Sequence, residues 1–290
     1  MLALVIFIIS SSSLFIIFRG LGNDRNPLQV ILWNYFFCTL LSAFFAFWEN
    51  SIPASGFGSE WLWPALGLGA LFLLNFSFTE QSVRRMGLSV SSVATKLSLI
   101  LPFFFSLHLN GVSPGWLSWT GLLLCLSAII LSSFKPDSDK KKPGFSWNLL
   151  LPVSIFLGTG LTDILTQWLN QVLVSPSDSA AFVLFVFAGA FASALCLSIF
   201  KIAAGSMKFQ PADILPGFLL GVPNFISYKS ILAALDAFHH QGNVVFPVAN
   251  LGVIILSSLV SFLYFRDAFS KWNLAGIALA CLALFMLYQH

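Results

Sequence analysis

Apolar residues run through this chain in long blocks, with few charges inside them and Gly, Pro, Asn or Ser in most of the gaps. Ten blocks can be marked: 2–18, 28–48, 61–79, 88–108, 115–134, 148–168, 179–200, 212–234, 243–264 and 272–288. A helix needs about 20 apolar residues to cross a bilayer, and in hydrocarbon only a helix or a closed barrel pairs all of its own backbone. The pattern therefore predicts ten membrane-spanning helices. The longest polar run, KPDSDKKKPGFS at 135–146, divides them into two sets of five. The expected parts are a first five-helix repeat at 1–134, a basic linker at 135–146 on the cytoplasmic side, and a second five-helix repeat at 147–290. The first block lacks a basic leader and a small-residue cleavage site, so it is expected to be a retained helix.

The two sets resemble each other. With a shift of 155 residues, Gly87 meets Gly242, Val93-Ala94 meets Val248-Ala249, Leu101 meets Leu256, Ser106 meets Ser261 and Gly121 meets Gly276. Across 87–130 against 242–285, ten of forty-four positions are identical. With a shift of 149, Pro27 meets Pro176 and Asn75-Phe76 meets Asn224-Phe225. Five helices per copy is an odd number, so the two copies enter the membrane in opposite orientations. That is an inverted repeat, the architecture on which alternating access around a midplane site is built.

Composition agrees with the pattern. Of 290 residues, 58% are hydrophobic and 9% charged, and 32 are phenylalanine, which excludes an ordinary soluble domain. Charge placement adds orientation. Twelve of the fourteen Lys and Arg residues fall on one side of the predicted spans, at Arg19, Arg25, Arg84, Arg85, Lys135, Lys140, Lys141, Lys142, Lys201, Lys208, Arg266 and Lys271. The positive-inside rule makes that side cytoplasmic and places both termini outside. The four cysteines lie in apolar blocks without metal spacing and read as small apolar fillers. Metal binding by His239-His240 is not expected, and there is no phosphate-loop, zinc-protease or dinucleotide motif. Gly111-Val112-Ser113-Pro114-Gly115 matches a nucleophile-elbow pattern, but it sits in a helix–helix turn without Asp and His partners. Gly217 and Gly221 read as a close helix contact within the bundle.

The remaining two cations lie inside spans. Lys96 is nine residues into the fourth block, roughly 12 Å deep at 1.5 Å per residue. A lysine at that depth costs a few kcal/mol unless it faces water or a partner, so it is the leading candidate to bind a carboxylate or phosphate group. Pro102, six residues on, frees a carbonyl one turn back. Pro223 and Pro247 are expected to break their helices, and all three prolines are candidate hinges. Lys229 follows Tyr228 near the outer end of the eighth span, and both are candidate substrate contacts. Asp163 lies toward the outer end of the sixth span. It is either a pair for Lys229 or the acid that couples protons to transport.

Ten helices in two five-helix repeats resemble the drug/metabolite transporter superfamily, and within it the EamA-like branch. The residues that carry the resemblance are SVATKLSLILPF, GVPNFISYKSILAALDAF and the ending VVFPVANLGVIILSSLVSFLYFRDAFSKWNLAGIALA. In the last of these, Pro247 lies near a helix start, a short charged turn follows, and Gly276 lies in the final span. Where the family usually carries a glutamate in that turn, this chain reads Phe265-Arg266-Asp267, and the matching turn NGVSPG has no acid. Many members of the family place their termini in the cytoplasm, opposite to the charge bias here. The resemblance implies that the second and ninth spans line the pocket, which makes Asn34, Tyr35 and Asn250 candidate contacts. It also implies a bacterial plasma-membrane secondary transporter, not an enzyme, with no cofactor and no nucleic-acid partner. The expected substrate is a small organic metabolite, anionic or zwitterionic, driven by protons or by exchange. The competing readings are a flippase for amphiphiles or lipid precursors, a multidrug exporter, and a membrane receptor or scaffold.

Overall fold

The structure is a computed structural model and describes residues 1–20, 25–51, 59–86, 88–111, 113–133, 150–265 and 271–288. Among them the chain forms helices and no strands. These are α1 (Leu2–Gly20), α2 (Pro27–Trp48), α3 (Leu62–Met86), α4 (Leu88–Leu97), α5 (Ile100–Leu109), α6 (Trp116–Ser133), α7 (Leu150–Trp168), α8 (Ser179–Ala203), α9 (Ile214–Ala237), α10 (Gly242–Phe265) and α11 (Lys271–Tyr288). Six stretches, within α2, α3, α7, α8, α9 and α10 and their short flanking turns, are long and apolar enough to cross a membrane. Shorter apolar stretches lie in α1, α4–α5, α6 and α11. Local chemistry sets the ends where a start is well formed. Asn26 caps α2 by accepting the Leu28 amide at 3.1 Å, and Pro27 takes the first helical position, where no N–H is needed.

The 155-residue shift read from the sequence carries positions within α6 onto positions within α11. The chain packs as two compact units, and neither unit is a sequence half. Unit 1 holds Met1–Leu74 and Leu165–Asp236, and unit 2 holds Asn75–Ile164 and Ala237–His290. In unit 1, α2 packs on α8; in unit 2, α6 packs on α11 and α5 on α10. Each of these pairs joins repeat equivalents. The halves at 1–134 and 147–290 divide the sequence, whereas the units divide the packing. The 135–146 linker lies outside the described residues.

Unit 1 is held by a close crossing of α2 and α9. A methyl group on Gly217 would sit 2.2 Å from Cβ of Trp33, and one on Gly221 would sit 2.8 Å from Cβ of Phe37. Small residues let the backbones touch, as membrane helix pairs require. The expected Gly217–Gly221 contact is therefore present within the unit. Both ends of unit 1 are tied as well. At one end the Gln29 side chain accepts the Gln210 amide at 2.8 Å and donates to the Lys208 carbonyl. At the other, Trp61 donates to Asp178 at 3.4 Å. Adding 149 to Gln29 and Trp61 gives positions 178 and 210, so the two ties are repeat-related copies of one contact.

Unit 2 has an apolar centre that includes Leu99, Phe103, Leu122, Ile129, Leu251 and Ala280. The fourth predicted span keeps a helical course but tightens midway. It divides into α4 and α5 at Ser98-Leu99, where the amides of Leu99 and Leu101 bond the carbonyls three residues back, of Lys96 and Ser98. Pro102 falls in the first turn of α5, where its missing N–H leaves little unpaired, and the Ser98 carbonyl that it would leave open is taken by Leu101. The breaks expected at Pro223 and Pro247 are absent, because α9 and α10 run through both. One lost bond does not end a helix whose flanking turns stay paired and packed.

The crossing yields a stability prediction. Gly217→Ala should lower thermal stability in detergent, by about 1–3 kcal/mol, because the neighbour it meets is backbone and Cβ with nowhere to move. Gly67→Ala, where a methyl would meet nothing within 4 Å, is the control and should be neutral or slightly stabilising. Equal melting of the two variants would show that the crossing does not hold the unit.

Candidate functional site

The sequence-predicted residues separate into two groups, one in each unit. Asn34, Tyr35, Tyr228, Lys229 and Pro223 belong to unit 1, and Lys96, Pro102, Asp163, Pro247 and Asn250 belong to unit 2.

In unit 1 the α2–α9 crossing sets the geometry. Asn34 is buried beside Gly217 and Gly221, and its Oδ1 accepts Asn224 Nδ2 at 3.3 Å. The Cys38 thiol points at the Gly221 carbonyl, 3.2 Å away. Tyr35 and Tyr228 are both buried and share one neighbour, Phe187 of α8, at ring separations of 6.5 and 5.4 Å. Phe72 lies edge-on to Tyr228 at 5.4 Å, and Phe225 stacks on Phe45 at 5.3 Å. The result is an aromatic cluster drawn from α2, α3, α8 and α9. Edge-to-face contacts of this kind add to the burial of the rings.

Lys229 lies at the margin of that cluster. Its ammonium group donates to Glu49 at the end of α2 at 2.5 Å and lies 4.3 Å from the centre of the Phe45 ring. Glu49 is thus the partner that the structure gives this lysine. The pair is more than a third exposed, so solvent screens it.

In unit 2, Lys96 is half-buried, two residues before the break between α4 and α5. Its repeat equivalent, Leu251, is fully buried in the apolar centre of the same unit. One copy of the repeat thus supplies core at this position and the other supplies charge. Asp163 is half-buried on α7. Gly160, one turn earlier, packs so closely on α5 that a methyl there would lie 2.3 Å from Leu101. Thr159 accepts Asn75 Nδ2 from α3 at 2.9 Å. The stretch of α7 leading to Asp163 is therefore fixed against both α3 and α5. Asn250 is half-buried on α10, and its amide donates to the Phe246 carbonyl at 3.0 Å. Among the described residues no cluster of His, Cys, Asp or Glu could hold a metal ion.

Two features had no clear signal in the sequence. Phe187 is one of 32 phenylalanines, and nothing in its neighbours marks it as the ring between the two tyrosines. Nothing in the sequence pairs Glu49 with Lys229, since 180 residues separate them and only the fold brings them together.

The fold defines an all-α, multi-pass membrane protein. Residues 1–134 match the model of the EamA-like transporter family, so the resemblance read from the sequence holds over the first five-helix half. The match covers 134 of the 290 residues, and the family it names is one of transporters. A Haemophilus influenzae protein, described only as uncharacterized, is 27% identical over 223 residues, covering 77% of this chain and 74% of that protein. A solved crystal structure of a protein 14% identical superposes over 98% of this chain and 94% of its own, with a TM-score of 0.72, and supports the fold alone.

The Lys229–Glu49 geometry predicts a modest structural role. Glu49→Gln and Lys229→Met should each change thermal stability by roughly 1 kcal/mol or less, as exposed pairs do. The double variant should change it by less than the sum of the two. Strict additivity would mean that the pair does not act together in the membrane.

Proposed function

We propose that the chain is a secondary transporter that moves a small organic metabolite, anionic or zwitterionic, across a bacterial plasma membrane by alternating access. The observation that carries this reading is the half-buried Lys96 at the break between α4 and α5, inside a repeat-built helical fold whose first half matches a transporter family. A cation there attracts carboxylate or phosphate more strongly than it would in water. Asp163, held against α3 and α5, is the proposed carrier of the coupling proton. Asn34, Tyr35, Tyr228, Lys229 and Asn250 remain proposed substrate contacts, and Pro102, Pro223 and Pro247 proposed hinges. The proposed orientation places both termini outside the cytoplasm, on the strength of the twelve basic residues on the other side.

The test is reconstitution of the full chain into liposomes with a panel of metabolites. Lys96→Ala should weaken binding of the transported compound by about 1–3 kcal/mol, roughly tenfold or more in Kd. Asp163→Asn should abolish accumulation against a gradient while exchange persists. Normal transport by Lys96→Ala would remove Lys96 from the site, and uphill transport by Asp163→Asn would remove Asp163 from coupling.

Orientation has its own test. Ser206, in the exposed turn after α8, and Ser113, in the exposed turn after α5, lie on opposite sides in the proposed topology. In intact cells Ser113→Cys should react with a membrane-impermeant maleimide and Ser206→Cys should not. The reverse pattern would invert the topology.

A further inference from the structure

Unit 1 carries an open groove between α1 and α9, lined in part by Pro223. Its walls are Ile6, Ile9 and Ile17 on one side and Leu219, Val222 and Ile226 on the other, and its volume is about 540 Å³. Ser10 and Ser13 also line it, but their hydroxyls turn back onto their own helix, to the Ile6 carbonyl at 2.7 Å and the Ser10 carbonyl at 2.6 Å. The groove therefore presents no polar group in need of a partner. Its floor is fixed, because Ser11 and Ser227 share a hydrogen bond of 2.6 Å across the two helices. Ile9 and Leu219 on its rim are 56% and 45% exposed, so in a membrane the groove opens to lipid.

Charge lies at one end of this groove. Phe218 at that end follows the start of α9 by four residues. Just before α9, the segment 208–213 forms a ledge that carries Lys208 and receives the Arg25 side chain. Arg25 donates to the Ala212 carbonyl at 2.9 Å and faces Asp213 at 3.7 Å. Asp213 is fully buried and neutralises one of the two cations, while Arg25 and Lys208 are exposed. Arg25 and Lys208 outnumber Asp213, so the ledge keeps a net positive charge beside the start of α9. Basic residues at the membrane surface attract anionic lipid headgroups.

We propose that this groove and ledge form a binding site for one anionic phospholipid, with an acyl chain in the α1–α9 groove and the phosphate at Arg25 and Lys208. The site uses none of the residues assigned to substrate or coupling, and it depends only on the chain spanning a membrane. An apolar chain fits walls with no open polar group, and a phosphodiester complements the ledge.

The test uses the full chain, purified and washed in detergent, then exposed to mixed vesicles of phosphatidylglycerol and phosphatidylcholine and read by native mass spectrometry. Wild type should retain one phosphatidylglycerol in preference to phosphatidylcholine. Ile9→Trp, which fills the groove from α1, should reduce the retained lipid at least fivefold, and Leu219→Trp should do the same from α9. Lys208→Gln should keep a lipid bound but lose the preference for phosphatidylglycerol. Size-exclusion chromatography with light scattering checks that each variant is folded and reports its oligomeric state. Equal retention of the two lipids by wild type, or unchanged retention in both tryptophan variants, overturns the proposal. So does a loss of dimer in those variants, which would make the groove an interface between copies.

Discussion

The close approach of α2 and α9 is the constraint on which unit 1 depends. Lipid gives two apolar helices no hydrophobic reason to associate, so contact must come from packing and polar bonds. Gly217 and Gly221 supply the packing by leaving room for the Cβ atoms of Trp33 and Phe37. Asn34 and Asn224 supply a bond across the same crossing. Once the two helices lie at that distance, Phe45 and Phe225 can stack and Lys229 can reach Glu49. With α8 packed on α2, Tyr35 and Tyr228 both meet Phe187. Remove the two glycines and these contacts lose their common frame.

Unit 2 rests on a different arrangement, an apolar core shared by the fourth span, α6, α10 and α11. Leu99 and Phe103 of the fourth span and Leu251 and Ile254 of its repeat equivalent share one core with α6 and α11. Against that near-symmetry, Lys96 stands where the other copy has Leu251. The same comparison explains why the ends of unit 1 carry repeat-related ties. Gln29 with Gln210 and Asp178 with Trp61 fill equivalent places with different chemistry.

Much of the fold was legible before any coordinates. The membrane class, the helical blocks and the repeat all follow from hydropathy and from glycine placement, because bilayer thickness and backbone pairing leave few alternatives. The shift of 155 read from Gly121 and Gly276 relates α6 to α11, and those two helices pack on each other in unit 2. The division of the fourth span was not legible. Pro102 drew attention to itself, yet the turn lies at Ser98-Leu99, three residues before it, because proline is tolerated in a first helical turn. Pro223 and Pro247 looked like breaks and are not, since a proline alone does not say whether neighbouring turns stay packed. The grouping of repeat-equivalent helices into interleaved units was also out of reach, because a sequence shift says which helices match and not which ones touch. Lys229 illustrates the same limit at the site, as its partner Glu49 lies on α2, far away in the chain.

The central claim is that Lys96 occupies a water-accessible position beside the α4–α5 break. The most direct measurement places a single cysteine there, Lys96→Cys, in a variant without the four native cysteines. Charged, impermeant thiosulfonate reagents are then added to right-side-out and to inverted membrane vesicles. The account predicts reaction from at least one side, and slower reaction in the presence of a transported compound. A cysteine that ignores the charged reagent from both sides, yet reacts with a lipid-soluble one, would contradict it.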